Sequence, residues 1–347
     1  MDSDDSHMDA DESHMDADDG HTQPDKTGAE PPAQAAKPAS ATVRARRARV
    51  AGGRRGAPAP RPRPSPAPVD AATEQPKKSR AGRNLPAAIA VAVALAGLII
   101  ATLFLYRPSF AIVVGLAVAY GSYELAKAFA TADRHLSLAP IAVGGVAMIA
   151  AAWERGTNGL AVALLLTVVA VLVWRVADGA HHFSADAGAS VFVVLYLPAL
   201  AAFAVLLAHP SDGAARVIAF IATVACSDTG GYATGVLFGK HPMAPIVSKA
   251  KTWEGFAGSV LFCSVAGVLF LTLTFHEAWW KGVLFGLGIV VTATLGDLGE
   301  SMIKRDLEIK DMGNLLPGHG GIMDRLDSLL PCAAVAYLLL TAFAPVS

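Results

Sequence analysis

The sequence predicts an all-α fold: a polytopic transmembrane helical bundle of about nine spans that follows a disordered N-terminal tail. Hydrophobic residues make up 53% of the 347 residues and charged residues only 16%, whereas a soluble protein carries about 25% charged residues. Arg and Pro are concentrated in residues 1–84, while residues 85–347 form a succession of long apolar runs. The chain therefore divides into a polar tail (1–84) and a membrane domain (85–347).

The tail has an acidic part and a basic part. Residues 1–30 contain eleven acidic residues and one lysine, with few apolar residues, which predicts disorder. Residues 31–84 are rich in Ala, Pro and Arg, with twelve Lys or Arg between Arg44 and Arg83. Nucleic-acid binding, anionic-lipid binding and a topogenic flank are the three interpretations. Because no aromatic residue can stack on bases and the segment adjoins the first apolar run, a cytosolic tail on an anionic leaflet is favoured, with no nucleic-acid partner.

The apolar runs of the second part have the length of membrane-spanning helices. About 20 residues of helix cross the hydrocarbon core, and the alternation expected of barrel strands is absent. The predicted spans are 85–106, 109–130, 136–152, 159–177, 188–207, 215–238, 256–275, 280–300 and 328–345.

Basic residues predict the orientation of these spans. With the tail in the cytosol, the inner loops carry nine further basic residues: Arg134, Arg175, Lys240, Lys249, Lys251, Lys304, Arg305, Lys310 and Arg325. The outer side carries four: Arg107, Arg155, Arg216 and Lys281. This bias satisfies the positive-inside rule. We therefore expect a multipass protein of the cell membrane with its N-terminus and active site in the cytosol and its C-terminus outside.

The densest cluster of polar residues lies between Asp297 and Asp327. On a helix, Asp297, Ser301 and Lys304 share one face at i, i+4 and i+7, with Arg305 beside them. Two further charged residues, Lys310 and Asp311, precede a glycine-rich segment, PGHGG at 317–321, which permits close backbone approach to a ligand.

The next helix opens with three charged residues, Asp324, Arg325 and Asp327. Taken alone, the two acids are ordinary for the first turn of a helix. Opposite Asp297 across a glycine-rich loop, they favour a carboxylate site for Mg²⁺, which also binds substrate phosphates. Neighbouring Lys and Arg side chains can neutralise a transferring phosphate. Asp297, Asp324 and Asp327 are thus the predicted metal ligands, and the presence of a second metal ion stays open.

This segment resembles the signature of the phosphatidate cytidylyltransferase family, which reads S-x-x-K-R, then K-D, then P-G-H-G-G, then D-R-x-D. Twelve matching residues carry the resemblance: Ser301, Lys304, Arg305, Lys310, Asp311, Pro317, His319, Gly320, Gly321, Asp324, Arg325 and Asp327. A dozen fixed residues within 27 positions is a highly specific match.

Two upstream segments extend the resemblance, so that the catalytic motifs occupy 228–327. The matching residues there are Asp228, Tyr232, Gly239, Lys240, Ser248, Lys251, Thr252, Glu254 and Gly255. Lys249 departs from the family, which usually has proline at that position, so the loop is expected to be less rigid. Glu124 resembles a family glutamate more weakly.

The resemblance implies transfer of CMP from CTP to phosphatidate, giving CDP-diacylglycerol and pyrophosphate for phospholipid biosynthesis. It implies a catalytic role for Asp297, Ser301, Lys304, Arg305, Lys310, Asp311, His319, Asp324, Arg325 and Asp327. It implies substrate binding by Asp228, Tyr232, Ser248, Lys251, Thr252 and Glu254. For His319, phosphate contact or loop structure is favoured over a general base or a metal ligand, because a phosphate monoester dianion is already a nucleophile.

Other functions compete with this one. A cytidylyltransferase or kinase acting on another lipid phosphate or an isoprenoid alcohol would share the reaction type. A multipass transporter would place polar groups near the bilayer midplane in two related halves, whereas the polar residues here cluster late in the chain. The expected partners are CTP, phosphatidate and membrane lipid, and the sequence leaves a homodimer open.

Overall fold

The computed structural model describes residues 85–179, 181–245, 247–313, 315 and 320–345, with the backbone alone at 85–89, 249 and 250. Both parts of the predicted tail lie outside the described residues. So do Pro317 and His319 of the glycine-rich segment.

The described residues form a helical bundle with one short hairpin. In chain order the helices are α1 (Leu85–Leu105), α2 (Pro108–Ala130), α3 (Leu138–Asp178), α4 (Phe183–Val194), α5 (Leu200–Ala208), α6 (Gly213–Phe238), α7 (Trp253–Leu269), α8 (Trp279–Asp306), α9 (Met323–Leu326) and α10 (Leu329–Phe343). One π-helical turn, Leu195–Ala199, joins α4 to α5, and a second, Phe270–Thr274, extends α7. The all-α prediction is confirmed.

Within the described part of the chain, six helical segments are long and apolar enough to cross a membrane. They are Pro108–Ala130, Leu138–Asp178, Phe183–Ala208, Trp253–Thr274, Trp279–Asp306 and Met323–Phe343. The second of these covers two of the nine predicted spans. Helix α1 contributes a shorter apolar stretch, Ala90–Leu105. The 26-residue α6 corresponds to the predicted span 215–238, although it is not among these six segments. The polytopic architecture therefore agrees with the predicted spans.

Helix α3 is two antiparallel spans joined at Gly156. This residue has φ 62° and ψ −145°, a conformation that only glycine adopts readily. The chain therefore reverses there without a separate loop. Beyond the turn the two halves pack closely, because Gly144 on the first half leaves room for the side chain of Thr167 on the second.

Two apolar clusters form the interior of the bundle. Val118, Met148 and Leu197 are fully buried in the first cluster, between α2, α3 and the first π-helical turn. Phe285 and Leu340 are fully buried in the second, between α8 and α10. Many large apolar side chains point outward instead, as expected of helices surrounded by lipid.

Helices α6, α7 and α8 pack tightly and carry seven of the sixteen predicted site residues. At Gly286 on α8 a side chain would collide with the carbonyl of Cys263 on α7, so glycine permits the close approach. Between α6 and α7, the Ser259 hydroxyl donates to the Ser227 carbonyl oxygen at 2.6 Å. These contacts fix three neighbouring helices at van der Waals distance.

The connection between α6 and α7, predicted as a polar loop, contains a short antiparallel hairpin. Strand β1 (Pro242–Ala244) pairs with β2 (Ser248–Thr252), with Pro242 opposite Thr252. Thr252 then caps α7, because its hydroxyl accepts a hydrogen bond from the Gly255 amide at 3.1 Å. The hairpin therefore leads directly into a span.

At the opposite end of the bundle, basic side chains bind backbone carbonyls. Arg216, only 3% exposed, donates to the carbonyl oxygens of Leu340 at 3.2 Å and Ala344 at 2.5 Å, and it pairs with Asp212 at 2.8 Å. Lys281 donates to the Phe343 carbonyl oxygen at 2.9 Å. These contacts satisfy acceptors left at the end of α10.

Replacing Arg216 with alanine is expected to destabilise the bundle by about 3 kcal/mol, because buried carbonyls and a carboxylate lose their donor. The midpoint of thermal unfolding of the detergent-solubilised protein should fall accordingly. Arg155→Ala, which removes an exposed arginine, is the control and should leave the midpoint unchanged. Equal midpoints for the two variants would contradict the role assigned to Arg216.

Candidate active site

A polar cavity of about 300 Å³ lies between α6, the hairpin, α7 and α8. Six of the residues predicted from the sequence line it: Asp228, Tyr232, Ser248, Lys251, Thr252 and Asp297. They come from segments up to 69 residues apart in the sequence, from Asp228 to Asp297. Folding therefore brings the upstream motifs and the start of the downstream motif to one place.

An ion pair joins the hairpin to α8, the span that carries the predicted site residue Asp297. Lys251 Nζ lies 2.5 Å from Asp297 Oδ2, with the two side chains 26% and 28% exposed. The Lys251 ammonium donates a hydrogen bond to this carboxylate. Because Asp228 lines the same cavity and feels the charge of Lys251, all three groups form one electrostatic unit.

Acidic groups outnumber this lysine in the interior of the site. The carboxylates of Asp228, Asp297 and Asp327 are close enough to interact electrostatically. Two cations, Lys251 and Arg325, offset part of this charge at Asp228. An excess of carboxylate oxygens around a polar cavity favours the entry of a cation or of a cation-bound phosphate.

A second group of charges lies further along α8. Lys304 Nζ contacts Glu300 Oε2 at 2.5 Å and Asp324 Oδ1 at 2.6 Å. Seven residues separate Lys304 from Asp297, which corresponds to about 10 Å along a helix axis. The predicted face of α8 therefore carries site residues at two levels along the helix axis. Asp297 lies at the cavity, and Lys304 lies at the base of the glycine-rich loop.

Asp324 organises the backbone at this second level. Its Oδ2 accepts from the Gly321 amide at 2.7 Å, and both of its oxygens accept from the Met312 amide, at 3.1 and 3.2 Å. With Lys304 added, its carboxylate joins the two ends of the loop to α8. Coordination of a metal by Asp324 would require Lys304 to move away.

Several predicted residues lie outside the lining of the cavity. Glu254 closes the hairpin, since its carboxylate accepts from the amides of Lys240 and His241 at 3.2 Å and contacts His241 Nδ1 at 2.6 Å. Ser301 is half-buried on α8. The exposed members of the set are Arg305, Lys310, Asp311 and Arg325. His319 lies outside the described residues.

Two residues beside the carboxylates were not predicted from the sequence. Glu300 is 3% exposed and pairs with Lys304, and its i,i+4 spacing from that lysine was a usable signal. Tyr196, in the first π-helical turn, has a buried hydroxyl that interacts electrostatically with Asp327, Glu300 and Asp297. Such turns are frequent at functional sites, but no local pattern in the sequence indicated this one.

The donor set fits Mg²⁺ better than a softer metal. Within the described residues, no group of three or more His, Cys, Asp or Glu side chains is arranged so that it could hold a metal ion by itself. Mg²⁺ does not need one, because it is usually held by one or two carboxylates together with substrate phosphates and water. Asp297 and Asp228, which line the cavity, and Asp327 beside them supply oxygens of this kind.

The arrangement suits transfer of a phosphate-containing group. Ser248 and Thr252 line the cavity with hydroxyls beside the Lys251 ammonium, and such groups can bind phosphate oxygens. The cavity belongs to helices that cross a membrane, so a lipid substrate can present a polar headgroup to it from the bilayer. Positioning and neutralisation of charge are the main requirements of phosphoryl-type transfer.

Comparisons with known proteins agree with this geometry. Residues 86–343 match the cytidylyltransferase family. The chain is 42% identical to a phosphatidate cytidylyltransferase of Mycobacterium leprae over 278 residues, which is 76% of this chain and 89% of the relative.

Two further relatives carry the same name. Identity to the protein of Mycobacterium tuberculosis strain H37Rv is 38% over 285 residues, 78% of this chain and 87% of the relative. Identity to the protein of Brucella suis is 31% over 239 residues, 68% of this chain and 84% of the relative. The resemblance seen in the motifs is confirmed, and the chain belongs to the cytidylyltransferase family.

Proposed function

We propose that this protein transfers the cytidylyl group of CTP to phosphatidate and so makes CDP-diacylglycerol and pyrophosphate in a membrane. The observation that carries the proposal is the cavity in which Lys251 and Asp297 pair beside Ser248, Thr252 and Asp228. The names of the relatives, which cover most of this chain, support phosphatidate as the lipid substrate. The multipass helical bundle supplies the membrane setting that such a substrate needs.

The reaction joins a lipid phosphate to a nucleotide phosphate. An oxygen of the phosphatidate phosphate attacks the α-phosphorus of CTP and forms a new P–O bond. The bond between the α-phosphorus and the bridging oxygen of the β-phosphate breaks, and pyrophosphate leaves with the electron pair. Because the attacking phosphate is already anionic, the protein needs to overcome charge repulsion between the substrates more than to remove a proton.

Cationic and hydroxyl groups of the site can offset that repulsion. Lys251, Ser248 and Thr252 are positioned to hold the triphosphate in the cavity. Lys304, at the second level, is held between Glu300 and Asp324 and can respond to added negative charge by changing partners. Arg305, Lys310 and Arg325 are exposed and can contact phosphate oxygens from solvent.

We assign the predicted Mg²⁺ to Asp297, together with Asp228 or Asp327. When bound, Mg²⁺ would neutralise phosphate charge and orient the triphosphate. The protein itself holds Asp297 in place through Lys251. Asp324 keeps the loop and α8 together unless Lys304 leaves it.

We infer that the site lies at the cytosolic face of the cell membrane. The predicted excess of Lys and Arg in the loops at this end of the bundle supports that orientation, and CTP is a cytosolic metabolite. The C-terminus then lies on the outer side, with Arg216 and Lys281 holding the end of α10.

Asp297→Asn is expected to abolish CDP-diacylglycerol formation from CTP and phosphatidate, and Lys251→Met to lower kcat about 10²-fold or more, because each removes charge from the cavity. Labelled CTP and thin-layer separation of the lipid product measure the rate in membranes. Asp306→Asn, at an exposed position on the same helix, makes the same chemical change away from the cavity and should retain activity. Full activity of Asp297→Asn at normal abundance would refute the proposed role of the cavity.

Removal of divalent cations with EDTA is expected to stop the reaction, and Mg²⁺ should restore it, because carboxylates and triphosphate repel each other without a bridging cation. The same assay with ATP and dCTP in place of CTP tests the nucleotide. Turnover that persists in EDTA would contradict the metal assignment. Equal rates with ATP and CTP would contradict the cytidylyl assignment.

Cysteine labelling in cells should verify the orientation. A membrane-impermeant maleimide is expected to label Ser211→Cys in intact cells and Asp306→Cys only after permeabilisation. Both positions are exposed, at opposite ends of the bundle. Of the three native cysteines, Cys263 and Cys332 are buried and Cys226 is half-buried, so the parent protein gives the background labelling. The reverse pattern would place the site on the outer face.

A further inference from the structure

Glu124, on α2, is a buried carboxylate that lies outside the lining of the catalytic cavity. It is 3% exposed, and two nearby side chains, Leu125 on α2 and Met323 on α9, are fully buried. Its Oε2 accepts a hydrogen bond from the Met323 amide at 3.0 Å, across 199 residues of sequence. Among the described residues, its other oxygen, Oε1, has no hydrogen-bond partner.

The backbone on both sides of the glycine-rich loop packs directly onto this carboxylate. A side chain at Gly313 would collide with Glu124 Oε1, and a Cβ at Gly321 would lie 2.7 Å from Oε2. Two glycines are therefore present where a carboxylate from α2 fills the gap between the ends of the loop. Glu124 therefore lies against the same two ends of the loop whose Met312 and Gly321 amides donate to Asp324.

Asp324 and Glu124 both accept hydrogen bonds from backbone amides on either side of the glycine-rich loop. Asp324 accepts from the amides of Met312 and Gly321, while Glu124 accepts from the amide of Met323. Helix α9 has only four residues, Met323–Leu326, too few to be stable by itself. Its first amides need acceptors from elsewhere, and Glu124 supplies one from a long, well-packed helix.

We propose that Glu124 is a positioning residue for the cytidylyl transfer reaction: through the Met323 amide it fixes the start of α9, and thereby the placement of Asp324 and Asp327. The proposal rests on the proposed function for what is being positioned. In this role Glu124 must supply a hydrogen-bond acceptor at the length of a glutamate side chain. The negative charge of Glu124 is not required. In the alternative role Glu124 binds a cation or the substrate through its charge. The two roles predict different activities for the variants of Glu124.

Three substitutions separate these roles. Glu124→Gln keeps an oxygen at the same reach, Glu124→Asp shortens the side chain by one methylene, and Glu124→Ala removes the acceptor. We expect kcat of the Gln variant within about threefold of the parent, and kcat of the Ala variant about 100-fold lower, because small displacements of reacting groups have effects of that size. The Asp variant should fall between them. The KM for CTP should change less than kcat in all three, because Glu124 does not line the cavity.

Amide hydrogen exchange provides a readout that does not depend on turnover. In the full-length protein in detergent, peptides that contain Met323 should exchange faster in the Ala and Asp variants and at the parent rate in the Gln variant. Lys127→Gln, an exposed change one turn further along α2, is the control for both measurements and should match the parent. Thermal midpoints confirm that each variant is folded. Were Glu124→Ala to unfold, the Gln and Asp pair would still decide.

Three results would overturn the proposal. Loss of activity in Glu124→Gln equal to that in Glu124→Ala would show that the charge is required. Parent-like kcat in Glu124→Ala would show that the contact has no role in the reaction. A fall in kcat with unchanged exchange at Met323 would show that the residue acts by another route. If the parent protein makes no CDP-diacylglycerol at all, the proposed function fails, while the exchange measurement still tests the contact between Glu124 and Met323.

Discussion

The ion pair between Lys251 and Asp297 is the interaction on which the arrangement of the site depends. It ties a short hairpin, outside the apolar spans, to a carboxylate on a helix that crosses the membrane. An unpaired Asp in such a helix would be costly, and an unpaired Lys on a small hairpin would leave the hairpin weakly attached. Because about a quarter of each side chain remains exposed, water and phosphate can still reach both groups. The pair is thus strong enough to position the hairpin and open enough to exchange partners.

Helix α8 connects this ion pair to the second group of charges in the site. Its first level, at Asp297, meets α6, the hairpin and α7 in the cavity. Its second level, at Glu300 and Lys304, meets Asp324 at the base of the glycine-rich loop. A helix keeps a fixed spacing between levels, so movement of the loop base is transmitted to the residues near the cavity. By this route residues from α2 and α9, which do not line the cavity, would affect the geometry of the site as we propose.

The sequence predicted the spans well and the contacts of the site only in part. Apolar length is a local property that the bilayer thickness imposes, so the spans could be read directly, including the two that Gly156 joins. Candidate site residues could be named because their types and spacing match a family motif. Their partners could not. Asp324 bonds to backbone amides of Met312 and Gly321, and no side-chain pattern reports where distant amides will lie.

Two further differences have the same origin. Glu254 matched the family motif, yet it closes the hairpin through His241, and this depends on a strand pairing that a short polar segment does not predict. Glu300 was not predicted as a site residue, because its partner Lys304 was interpreted only as a phosphate-binding residue. In both cases a charged residue holds neighbouring parts of the site in place without lining the cavity. Sequence spacing alone does not distinguish such a residue from one that contacts substrate.

The reversal at Gly156 has a consequence for how the chain enters the bilayer. Because the two halves of α3 meet at one residue with no intervening loop, we expect them to enter together as one helical hairpin, whose closure sets their relative tilt. The surface of the membrane above this point then exposes only a bare turn, too small to accommodate a tag, a glycan or a binding loop without separating the two spans.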